Sequence, residues 1–161
     1  MDLKKIIPFL IFICFSISAF SQDQAEIKAV FDKYERRKGT VAVQLSQDVL
    51  SQGCNLHLYK SLSFADIEDE EKNNILQSLL LNKKQYSVIS EVIKNGKIQS
   101  GSYSLGKSKN NKESYLLIKS NNNKLNVVYI VGDVAPNQLE KELKKLKQLF
   151  IYSNNKKINI D

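Results

Sequence analysis

The string Gly101-Ser-Tyr-Ser-Leu-Gly106-Lys107-Ser108 matches the P-loop pattern letter for letter, and Val127-Val-Tyr-Ile-Val-Gly-Asp133 has the form of an apolar strand ending in a magnesium-binding aspartate. Together they suggest nucleotide chemistry. Such a loop works only between a strand and a helix whose N-terminal amides hold the phosphates. Behind Ser108, however, stand Lys-Asn-Asn-Lys and a β-branched, aromatic strand pattern, and only about 50 residues follow. An Asn-Gly hairpin precedes the motif, so neither the helix nor a parallel sheet has a place. The match reads as a coincidence of composition, and no cofactor is assigned to it.

The other reactive residues are sparse. His57 is the only histidine, which excludes His-rich metal sites and leaves a Cys54–His57 dyad as the one arrangement to weigh. Three positions apart on a strand, the two side chains point to opposite faces. Cys54 then reads as a small buried hydrophobe and His57 as a surface residue of the sheet. The acidic run from Asp66 to Glu71 lacks the alternating spacing of a calcium loop and is explained by a helix start, where carboxylates favour the positive end of the dipole. No catalytic, cofactor-binding or metal-ligating residue is therefore assigned. Tyr86, Tyr103, Tyr115 and Tyr129 fall one to each of four successive strands and are the candidate contact surface, an aromatic face for a glycan or peptide.

Elements to position these residues follow from pattern. Lys4 and Lys5 precede the apolar run Ile6 to Phe20, and Ala19 and Ser21 supply small residues for a cut before Gln22. Residues 1–21 are thus a predicted cleavable signal peptide, since an apolar stretch of 15 residues, interrupted by Pro8, Ser16 and Ser18, falls short of the roughly 20 that span a bilayer. The remaining 140 residues hold a single cysteine, Cys54, so the mature chain has no internal disulfide and rests on its core. That length suits one domain, residues 22–161. Formal charge is +7 for the whole chain, and 22 of the 24 basic residues are lysines. This suits a hydrated surface and not the bidentate reading of nucleic acid, in which arginine dominates.

Helical spacing of Ala25, Val30, Phe31 and Tyr34 predicts a first helix from Asp23 to Arg37, stopped at Gly39. Thr40 to Leu45 alternates as a half-buried strand, and Ser46 to Ser51 is long enough for one helical turn. In the next strand Leu56, Leu58, Leu62 and Phe64 are expected on one face and His57 and Tyr59 on the other. Asp66 is the expected N-cap of a helix whose stripe is Ile67, Ile75, Leu76, Leu79 and Leu80. Strands follow at 86–93, 97–105, 114–119 and 125–131, turned at Asn95-Gly96 and Asn121-Asn122-Asn123. Pro136 opens a last helix bearing Leu139, Leu143, Leu146 and Phe150, and from about residue 153 the tail is polar and expected to fray. The fold class is α+β: an antiparallel sheet with a C-terminal four-strand meander and about three helices, mainly on one face.

This layout, with Phe31-Asp-Lys-Tyr ahead of a strand, a meander, Val131-Gly-Asp and a lysine-rich terminal helix, resembles small signal-peptide-bearing proteins of Gram-negative bacteria that carry only a domain-of-unknown-function label. The resemblance covers most of residues 25–150 and implies an exported, envelope-associated accessory protein in the periplasm or outside the cell. The leading functional expectation is accordingly a noncatalytic domain that binds an envelope protein or an anionic surface, through the sheet edge or the tyrosines. The alternatives are a periplasmic hydrolase using unidentified carboxylates and adhesion to membrane or lipopolysaccharide through lysines. Nucleic acid is not an expected partner. If the signal is cut as its small residues imply, N-terminal sequencing of the exported protein should read Gln22-Asp23-Gln24, and recovery of an intact Met1 terminus would refute the assignment.

Overall fold

A computed structural model describes residues 22–153, in the order α1 (Gln22–Tyr34), β1 (Thr40–Ser46), α2 (Gln47–Leu50), β2 (Leu56–Phe64), α3 (Asp69–Leu79), β3 (Ser87–Lys94), β4 (Lys97–Lys107), β5 (Glu113–Asn121), β6 (Lys124–Gly132) and α4 (Leu139–Ser153). The predicted signal peptide and the polar tail lie outside these residues, as does the side chain of Phe150. All six strands form one antiparallel sheet ordered β1-β2-β6-β5-β4-β3. The predicted meander is therefore extended on one side by the β1–β2 hairpin, which docks through β2 on β6. Asn95 (φ 53°) and Gly96 (φ 72°) make the β3–β4 turn, the positive-φ pair such a two-residue hairpin demands.

The helices cover both faces of the sheet, not mainly one, and there are four α-helices among the described residues. The reason lies in the central strands, which are apolar on alternate residues of both sides. Leu116, Ile118, Leu125 and Val127 join Ile27, Phe31, Ile75 and Leu79 of α1 and α3 in one core. Tyr115 and Ile130 join Leu50 of α2 and Leu139 and Leu146 of α4 in the other. Burying either set alone would leave large aliphatic and aromatic groups in water, at about 1.5–3 kcal/mol each.

Two local expectations also change. A register shift between Leu56 and Leu58 of β2 sends Leu56 into the α4-side core with Tyr59, away from Leu62 and Phe64. Asp66 is not the helix N-cap: α3 begins at Asp69 behind Glu68, and the Asp66 carboxylate instead accepts a 3.0 Å hydrogen bond from the Asn123 side chain. The start of α3 is held to the end of α1 by Arg37, whose Nε and Nη2 donate to the two oxygens of Glu71 at 2.8 and 2.6 Å.

On the opposite face α4 is anchored by a buried carboxylate. Glu142, 4% exposed, accepts from the Asn55 backbone N–H at 2.9 Å and from Lys145 Nζ at 2.6 Å. Burial pushes this carboxyl upward, but the Lys145 ammonium and the Asn55 amide outweigh it and hold it below the ordinary glutamate range. A depressed folded value means that the contribution is complete above the unfolded pKa and disappears as pH falls through the folded one. Glu142→Ala should lower stability in urea by about 1–3 kcal/mol at neutral pH, with the gap to wild type narrowing as pH falls below the ordinary glutamate range. A gap that stayed constant across that range would show that the carboxylate's charge is not what matters.

Candidate functional site

At the end of the sheet β3 pairs with β4, and among the described residues no strand pairs with its other side. Its sequence, Ser-Val-Ile-Ser-Glu-Val-Ile-Lys, carries paired aliphatics, as a strand buried on both faces would. Here they are bare. Val88, Ile89, Val92 and Ile93 are 53, 39, 55 and 56% exposed, which makes β3 the densest run of exposed large aliphatics among the described residues. Natural edges are normally blunted by charge, proline or cover. The one acidic residue of β3, Glu91, is turned inward and committed to the protein.

That commitment braces the middle of β3 against β4, between register shifts at Val88/Ser90 and Val92/Ile93. Tyr103 of β4, fully buried, folds its ring back over Gly101 and donates its hydroxyl to Glu91 Oε1 at 2.5 Å, and Lys83 Nζ meets the same oxygen at 2.5 Å. The Lys83 ammonium first, and the Tyr103 hydroxyl second, keep the Glu91 carboxyl below its usual range. The tyrosine is pushed strongly upward by burial and by the carboxylate beside it, so it remains a neutral donor. A Cβ on Gly101 would stand 2.4–2.6 Å from the Tyr103 ring and hydroxyl, so only glycine fits there.

The remaining residues of the P-loop-like string fall on a strand and not on a phosphate cradle. Residues 97–107 are all β4, and Gly106, at φ 79°, sits where the β4–β5 register shifts. After a short turn at 108–112 comes β5, not a helix. Lys107 and Asp133 do line one shallow cleft, with Asn111, Glu113, Val134 and Pro136. Within it Asp133 is already held: Lys112 Nζ reaches its two oxygens at 2.7 and 2.6 Å, and His57 Nε2 lies 2.7 Å from Oδ2. The Lys112 bond, then the His57 bond, lower the Asp133 carboxyl. With both oxygens spoken for, this cluster clasps the ends of β2, β5 and β6 together. His57 and Asp133 are far apart in the chain, so no local pattern announces the pair.

Cys54 lies in the loop before β2, buried, with its thiol donating to the Leu50 carbonyl at 3.3 Å, and burial pushes that thiol upward, away from reactivity. The four tyrosines do not form one surface. Tyr86, just ahead of β3, and Tyr103 are buried in the core under α1 and α3, with Tyr129 packed partly buried against it, whereas Tyr115 is fully buried in the opposite core. The Tyr115 hydroxyl donates to the Val134 carbonyl, and burial raises it to about 12. Strand tyrosines here pack and brace. No three His, Cys, Asp or Glu side chains converge as a metal site would require, and no helix is long and apolar enough to cross a membrane, among the described residues.

One family model matches the chain, over residues 14–146, and it is described as a family of unknown function, DUF6108. No curated protein matches the chain.

Because Gly101 exists to admit the Tyr103 ring, Gly101→Ala should destabilise the domain by about 1–3 kcal/mol, the usual penalty of overpacking. Calorimetry would detect the lower Tm. An alanine variant as stable as wild type would mean that the ring is free to move off the backbone and does not brace β3.

Proposed function

The chain belongs to DUF6108, a family whose function is unknown, and we propose that it is a noncatalytic, exported binding domain of the cell envelope that takes an extended segment of a partner protein as a seventh strand on β3. The observation that carries this reading is the bare edge of β3, with four large aliphatics exposed and its only carboxylate turned inward. Strand addition draws affinity from main-chain hydrogen bonds along such an edge and selectivity from alternate side chains. An aliphatic, extended peptide matches Val88, Ile89, Val92 and Ile93. The carboxylates support the noncatalytic part of the reading, since Asp133, Glu91 and Glu142 are each engaged by a lysine and a second donor.

A photo-crosslinking amino acid placed at Val88, Val92 or Ile93 in cells that make the protein should yield a discrete adduct, whereas one at Lys144 of α4, also exposed, should not. An Ile89→Lys, Val92→Lys pair should abolish the adduct with Tm nearly unchanged, since both positions are exposed. Adducts absent from every β3 position would sink the reading.

A further inference from the structure

A second feature, independent of the β3 edge, lies at the hairpin end of the sheet. The first turns of α3, the start of β4 and the β5–β6 turn enclose a cleft of about 460 Å³. That volume falls within the roughly 300–1,000 Å³ of ordinary small-ligand sites. Its walls are built of hydrogen-bonding groups in unusual density. Asn73, Gln99, Asn122 and Asn123 bring four primary amides to it, and Ser120 adds a hydroxyl. Ile67, Leu76 and Ile98 supply aliphatic surface.

At the back of the cleft is Lys72, whose side chain is only 9% exposed. Its ammonium donates to the Asn122 carbonyl and pairs with Asp69 Oδ1 at 2.7 Å. The ion pair lies within α3, with Asp69 largely exposed, and it is the bond to the Asn122 carbonyl that ties the turn between β5 and β6 to α3. Asn123 is likewise used, through Asp66 and through its carbonyl, which accepts from the Ile67 N–H at 2.9 Å. The side chains of Asn73, Gln99 and Asn122, and the ammonium of Lys97, make no hydrogen bond or ion pair within the described residues. They are left to face the cleft, where two ammoniums outnumber one carboxylate.

We infer that this cleft binds an acidic sugar, free or as a unit of a glycan. Each primary amide presents a donor beside an acceptor, which matches a pair of neighbouring hydroxyls, and no apolar ligand could satisfy three such groups. The aliphatic patch suits the C–H face of a pyranose ring. Lys97, which makes no salt bridge and reaches Asp69 only through its field, meets the ligand's carboxylate or phosphate, whereas Lys72 is paired directly with Asp69.

Sodium glucuronate is the probe, titrated into the full ¹⁵N-labelled chain and followed at the side-chain amide signals. The Asn73, Gln99 and Asn122 signals should move saturably, with a Kd in the millimolar range. Gln99→Ala should weaken binding about five- to tenfold, the equivalent of one hydrogen bond. Lys97→Gln should weaken glucuronate by a similar factor and leave the weaker binding of glucose unchanged. Both residues lie on the surface side of the cleft, and unchanged backbone spectra will confirm that the variants fold. No shift by about 50 mM glucuronate would overturn the inference. So would equal binding of glucose, equal shifts with sodium acetate, or wild-type affinity in both variants.

Discussion

The pairing of β2 with β6 carries the rest of the fold, because it joins a hairpin near the start of the chain to a meander that forms later. Leu62 lies opposite Val127 and Phe64 opposite Leu125, so the strand pair delivers its apolar residues to one core in register. At the other end the backbones come so close that a Cβ on Gly132 would stand 2.7 Å from the Asn55 carbonyl, which accepts the Asp133 N–H at 3.0 Å. Glu142 then reaches from α4 to the Asn55 amide.

Because β6 is central, it must be covered twice, and the four helices divide between the faces accordingly. The sheet is best covered near β2, β5 and β6, and its covering thins toward β3. An α+β domain of this length has enough apolar surface for two cores over the middle strands and little left for the margins. The exposed aliphatics of β3 are then a consequence of topology: a strand composed like a central one has been placed at the edge. Tyr103, Gly101, Glu91 and Lys83 brace it on β4 at mid-strand, between the register shifts at Val88/Ser90 and Val92/Ile93.

The P-loop-like string illustrates how little letters mean without context. Its first glycine makes room for a tyrosine ring, its second takes a positive φ at a register shift, and its lysine ends a strand. Nucleotide chemistry needs those residue types on a strand-to-helix turn, and here they lie along an antiparallel edge-side strand. The tyrosines teach the same lesson in reverse. Equal spacing along successive strands says nothing about which face each one occupies, since a shift of one residue moves a side chain to the other core.

Sequence alone determined whatever depends on near neighbours: the two-fold and 3.6-fold periods that define six strands and the main helices, the Asn95-Gly96 turn with its positive φ values, and the want of a second cysteine for any internal disulfide outside residues 1–21. Even the burial of Cys54 could be expected from its small apolar character. Tertiary structure decided what depends on pairing across long separations. Only the β2–β6 seam put α4 and α1 on opposite faces, brought His57 to Asp133, left β3 bare, and set Lys72 beneath a wall of amides drawn from three elements. A local pattern records which residues seek burial but not which strand will lie beside them, and it is the neighbour that makes a strand a core or an edge.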